Sequence, residues 1–234
     1  MYDSHVRVSA AGSPAASSTV TEAVLPGIVE PDGIQVRTRP ARPAGPGQVV
    51  LAMEAAGVSF AEQQMRRGKY YDQPPFPFVP GYDLVGRAVD AGEGVPGRVL
   101  GRRFAVLTKT GAWASHVSVD VGDLTEVPEP VDSADAETFV VNGITAYQML
   151  HRLAEVRAGD TVLVLGANGG VGSTLVQLAR IAGAKVVGTA SSKHHDAVRT
   201  LGATPPRLPG PRPARAAARP GTQGVRRGLR PRGR

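Results

Sequence analysis

The 234-residue chain is 41% apolar and 20% charged and has no cysteine, which suits a folded chain with a real core and removes disulfides, thiolate zinc sites, iron–sulfur clusters and a cysteine nucleophile together. Its formal net charge of +7 is unevenly spread: residues 205–234 hold nine Arg and no acid, while residues 1–204 hold 18 Lys/Arg against 20 Asp/Glu, so a nucleic-acid-binding body is disfavoured. No apolar run approaches the roughly eighteen residues of a membrane span, and residues 1–20 lack a basic start followed by an apolar stretch, so the expectation is a soluble, cytoplasmic protein.

Residues 9–19 are small and polar, and residues 1–25 read as a loose start. From about Gly27 to Pro130, short apolar runs are broken by Gly and Pro, with Val49–Glu54, Leu84–Val89, Val99–Leu107 and Ala114–Val119 as the clearest strands. One short helix is predicted near Ala61–Arg67. The first domain is therefore placed at residues 1–130 and is mostly β.

At Val131 the pattern changes. Ser133 is the expected N-cap of a helix that runs to Val141, where Asn142-Gly143 interrupts it, and a second helix is expected over Thr145–Val156. Thr161–Leu165 reads as a buried parallel strand, and Gly166–Gly172 as a turn. An amphipathic helix with Val171, Leu175, Leu178, Ala179 and Ala182 on one face follows, then a second strand at Lys185–Thr189. A third helix spans Lys193–Leu201 and ends at Gly202. This β-α-β-α order opens a doubly wound α/β fold over residues 131–204.

After Ala203 the pattern stops. In residues 205–234, Pro, Arg, Gly and Ala fill 25 of 30 positions, too few apolar groups for a packed core, so a disordered Arg/Pro-rich tail is expected. Those four amino acids have codons with GC-only stems, which points to a frameshift near residue 204 that removes the second half of the domain; a natural basic tail is the alternative.

The glycine turn Gly166-Ala167-Asn168-Gly169-Gly170-Val171-Gly172 lies between a strand and a helix, where first-turn N–H groups and the helix dipole attract a pyrophosphate. Asn168, Gly169, Gly170, Val171 and Gly172 are the expected cofactor contacts. An NAD site places an acid at the end of the second strand, but Gly188–Lys193 holds none. Ser191, Ser192 and Lys193 suit a 2′-phosphate instead, and NADP(H) is the expected cofactor.

Several further segments occur in an order that resembles the zinc-independent quinone oxidoreductases of the medium-chain dehydrogenase/reductase superfamily. They are Ala56-Gly-Val-Ser-Phe60, Phe76-Pro-Phe-Val-Pro-Gly-Tyr-Asp83, Asn142-Gly-Ile-Thr-Ala-Tyr147, Val162–Gly172 with the helix to Ala179, and Leu201-Gly-Ala203. The resemblance spans roughly residues 25–204. It implies a GroES-like β-rich catalytic domain followed by an incomplete Rossmann domain, with NADPH in the cleft between them.

Zinc-dependent relatives carry Cys at the position of Ser59 and His at that of Tyr82, so no metal is expected. Without zinc, the acceptor implied is a quinone or an α,β-unsaturated carbonyl, which takes hydride readily. The resemblance places Ser59 beside the nicotinamide and makes Thr145 a cofactor contact, with Asn142 one turn earlier as another; Tyr70, Tyr71 and Tyr82 are candidate hydrogen-bond donors to the developing oxygen, and Ser59, Tyr82 and Thr145 are the expected catalytic residues. It also implies a homodimer for the intact family member, and hydride transfer impaired by the missing C-terminal half. Two alternatives stay open: a non-catalytic nucleotide-binding relative, and polyanion binding through the basic tail.

Overall fold

A computed structural model describes residues 19–206; all but the first two residues of the expected basic tail and most of the expected loose start lie outside the described residues. Residues 19–25 are not loose. β1 (Thr19–Val24) pairs antiparallel with β2 (Gln35–Pro40) in register Val20↔Arg39 and Glu22↔Arg37. Val20 and Val24 are buried beneath the hairpin, whereas every residue of β2 is exposed.

Five antiparallel strands form the main sheet, in the order β6-β3-β4-β5-β7. They are β3 (Gln48–Ala56), β4 (Asp83–Ala91), β5 (Arg103–Leu107), β6 (His116–Asp120) and the two-residue β7 (Thr125–Glu126). Alternate residues turn Val49, Leu51, Leu84, Ala88, Phe104, Val106 and Val119 into one core. The expected strands at 49–54 and 84–89 lie inside β3 and β4. The one expected to begin at Val99 begins at Arg103, because Gly97–Val99 closes a 3-10 turn instead. The last begins at His116, with Ala114 bridged to Glu22 of β1. Between β3 and β4 lies α1 (Phe60–Arg66). Arg66, at the end of that helix, is buried and donates to the Val29 carbonyl.

Beyond β7 a helical rod runs without a break over residues 133–153. It consists of α2 (Ser133–Thr138), a π turn (Phe139–Gly143), α3 (Ile144–Tyr147) and a second π turn (Gln148–Leu153). The cap is Asp132, not Ser133: its carboxylate accepts from Ala134 N at 2.9 Å and Asp135 N at 3.3 Å, which frees the Ser133 hydroxyl to donate to Glu54 at 2.5 Å. Asn142-Gly143 does not interrupt the helix. Gly143 takes helical angles, φ −67° and ψ −48°, and the chain widens into a π turn where the Val141 N–H turns to a side chain of the sheet, Asp83.

β8 (Thr161–Val164) and β9 (Lys185–Gly188) are parallel and joined by α4 (Gly170–Ile181); α5 (His195–Leu201) follows. Val164, Leu175, Val176, Ala179, Val186 and Val198 pack with Ala146 and Leu150 of the rod into a second core. Thr204 exchanges hydrogen bonds with the other edge of β9, to Gly188 N at 3.0 Å and Val186 O at 2.8 Å, and so adds a third parallel position to this sheet.

Arg103 fastens β5 to the segment entering the rod. Its buried guanidinium donates to the carbonyls of Pro128 (3.1 Å), Glu129 (2.6 Å) and Val131 (2.8 Å) and to Ser133 Oγ (3.1 Å). Replacing it by Met fills the space and leaves those acceptors unpaired, and Arg103→Met is expected to lower the unfolding free energy in urea by about 3 kcal/mol.

Candidate functional site

Two groups of residues meet at the rod. The first is built on the ends of the parallel strands, where open α/β sheets place their ligands. The turn after β8 is fixed to β9 by Thr189, which accepts from Gly166 N through Oγ1 (3.1 Å) and from Ala167 N through its carbonyl (2.8 Å). α4 starts at once. Its N-cap is Gly169, with no side chain to cap the first turn, so the N–H groups at Gly170, Val171 and Gly172 have no side-chain acceptor. Gly172 is required for this close return: a Cβ there would overlap the Gly166 carbonyl oxygen and lie 3.0 Å from Ala167 Cα.

The structure brings Asn142 to this turn. Its amide lies against Gly170, where a Cβ would stand 2.7 Å from Asn142 Nδ2, and among the described residues the amide has no hydrogen-bond partner. Asn168 is exposed on the turn, and Val171 points partly into the second core. Thr145, half-buried, follows Asn142 by three residues along the rod. Ser191, Ser192 and Lys193 lie exposed just beyond β9, beside the glycine turn, and their side chains have no partner among the described residues. Donors thus stand at the start of α4 and just beyond β9.

The second group lies at the mouth of the antiparallel sheet. Ser59 caps α1, accepting from Ala61 N at 3.1 Å, while its own N–H (2.8 Å) and hydroxyl donate to Glu62 Oε2. The other oxygen, Oε1, accepts from Tyr82 N at 2.9 Å. Glu62 is therefore the residue that sets Ser59 beside Tyr82. Sequence reasoning missed it, although Ser59-x-x-Glu62 is a capping-box pattern that signals such a bond. The hydroxyls of Tyr82 and Tyr70 are hydrogen-bonded to each other, and Tyr71 packs on Tyr70 with ring centroids 4.7 Å apart and is itself exposed. Trp113 is half-buried and donates its indole N–H to the Gly57 carbonyl at 2.7 Å.

Next to Tyr82, Asp83 joins the two groups. Asp83 Oδ2 accepts from Val141 N at 3.0 Å, one residue before Asn142. Its carboxyl also bonds to Glu137 of α2, and both press on Gly57, where a Cβ would collide with Glu137 Oε1 and lie 2.8 Å from Asp83 Oδ1. Burial raises the pKa of Asp83, and burial together with the adjacent Asp83 charge pushes Glu137 up to about 8. No motif in the sequence pointed to these two carboxyls.

Among the described residues, no group of three or more His, Cys, Asp or Glu is arranged to hold a metal ion, and no helix is long and apolar enough to cross a membrane. His116 is partly buried, and that burial lowers its pKa; His151 lies against the Tyr147 ring at 4.7 Å.

The alcohol dehydrogenase GroES-like domain family matches residues 45–129. The human synaptic vesicle membrane protein VAT-1 homolog is 39% identical over 186 residues, which cover 78% of this chain and 47% of that protein. The chain thus spans about half the length of the curated relatives it matches. Among solved structures, a human VAT-1 homolog-like protein superposes with a TM-score of 0.75 at 30% identity, covering 81% of this chain and 62% of the other. The quinone oxidoreductase of Thermus thermophilus, solved also in complex with NADPH, gives a TM-score of 0.68 at 34% identity over 78% of this chain and 58% of its own.

The raised pKa of Glu137 makes folding pH-dependent. Folded Glu137 keeps its proton to about pH 8, whereas the unfolded side chain loses it near 4.5, so the folded chain binds the extra proton between those values. Stability is expected to fall as pH rises through that window and to level off above it. In urea melts across pH, Glu137→Gln should remove that slope.

Proposed function

The chain belongs to the quinone oxidoreductase-like branch of the medium-chain dehydrogenase/reductase superfamily, and from that premise we propose that it binds NADP(H) and reduces a quinone or an α,β-unsaturated carbonyl without a metal. In this reading the chain divides into a GroES-like catalytic domain at 1–130 and the first half of a dinucleotide-binding domain at 131–204.

One observation carries the reading. The Asn142 amide, without a hydrogen-bond partner among the described residues, stands at the start of α4 and is linked, through Val141 and Asp83, to Tyr82. The pyrophosphate suits the first-turn N–H groups of α4, and the helix dipole favours its charge. The hydroxyls of Ser191 and Ser192 and the Lys193 ammonium suit a 2′-phosphate, and no carboxylate stands in the stretch 188–193 to favour a bare ribose. When bound, NADPH supplies the hydride. The protein's part is to orient the acceptor and to hold a donor against the oxygen on which negative charge develops. Tyr82, hydrogen-bonded to Tyr70, donates to that oxygen, Ser59 and Thr145 are assigned to the same centre, and solvent returns the proton.

The test compares NADPH with NADH on the full chain. NADPH should bind about tenfold or more tightly than NADH, and Lys193→Ala should remove most of that preference. Equal binding of both nucleotides would contradict the 2′-phosphate assignment. With a simple quinone as acceptor, NADPH oxidation should fall in Tyr82→Phe with the nucleotide dissociation constant unchanged.

A further inference from the structure

Three carboxyls from three elements are buried together: Glu62 of α1, Asp83 of β4 and Glu137 of α2. Glu62 is fully engaged by Ser59 and Tyr82. Asp83 and Glu137 face each other, and among the described residues neither has an ion-pair partner. Facing Glu137 are Asp83 from β4 and Glu62 from α1; the π turn offers no charge, and the β3–α1 connection offers the Gly57 backbone. The nearby cations are engaged elsewhere on α2's neighbours: Arg87 binds Glu54, which holds Ser133, and Arg103 binds the carbonyls of 128–131. Two carboxylates in hydrogen-bond contact within a buried joint do not both ionise at neutral pH, so the pair keeps one proton.

We propose that Glu137 is a positioning residue for the nucleotide site: by sharing a proton with Asp83 it keeps Asp83 on the Val141 N–H and so sets Asn142 against the glycine turn, and loss of that proton in mild alkali releases the rod and weakens nucleotide binding. This regulation rests on the reading of Asn142 as a nucleotide contact. Like charge in the joint favours moving α2 away from β4. The displaced part of the rod would carry Val141, Asn142 and Thr145 together.

The chain contains its own reporter. Trp113, the single tryptophan, is hydrogen-bonded to Gly57, on which both carboxyls press. On the full chain, Trp113 emission titrated from pH 6 to 9.5 should show a transition with a midpoint near 8. Glu137→Gln should abolish it, because the amide donates to Asp83 at every pH. Asp83→Asn should move it to lower pH by removing the like charge. In parallel, the NADPH dissociation constant of the wild type should rise about tenfold between pH 7 and 9 and stay constant in Glu137→Gln. The same emission transition in wild type and Glu137→Gln would overturn the shared proton. An NADPH affinity that ignores the emission transition would overturn the positioning role. If NADPH binds at no pH, the nucleotide reading and the positioning role fall together, while the emission arm still decides whether the pair shares a proton.

Discussion

Asp83 is the contact on which the arrangement of this chain depends. It stands at the start of β4, next to Tyr82, and reaches across to the backbone of Val141 in the rod and to the carboxyl of Glu137. A charged hydrogen bond in a buried joint is strong when matched and costly when broken. It also has a geometric consequence: a helix that gives its Val141 N–H to a side chain of the sheet cannot keep regular α spacing there, and the π turn at Phe139–Gly143 results. Asn142 and Gly143, unpromising residues for a helix interior, are accommodated in that wider turn.

The turn in the rod then meets the turn after β8. Glycine at 170 lets the Asn142 amide approach, and glycine at 172 lets α4 pack directly on the Gly166 carbonyl. α4 therefore begins with no capping side chain and with its positive end facing the crevice. On the other side, Glu62 uses both oxygens to hold Ser59 and Tyr82 together. Two of the three buried carboxyls thus fix backbone: Glu62 within the antiparallel sheet's mouth, Asp83 between that mouth and the rod.

Much of this was legible in the sequence. β3, β4, β8, β9 and α4 announce themselves by apolar runs or by a one-sided stripe, and the glycine turn by its place between a strand and a helix. β2 was not legible, because its only larger apolar residue, Val36, is exposed and the strand is held by main-chain pairing to β1. Asn142-Gly143 looked like a stop because local propensity disfavours it, and a contact from residue 83 overrides that preference. Asp132 and Ser133 are both good caps, and only the position of Glu54 decides between them. The Asp83–Glu137 pair was invisible, since two acids 54 residues apart in sequence carry no sign that the fold buries them against each other.

For the two halves of the site to work as one, a single nucleotide must touch both the glycine turn and the π turn that Asp83 holds in place. Amide hydrogen exchange of the full chain with and without NADPH tests this most directly. Protection is expected at Gly170–Ser173 and, at the same nucleotide concentration, at Val141–Thr145. Protection of the glycine turn alone, with residues 141–145 exchanging as in the free chain, would contradict it.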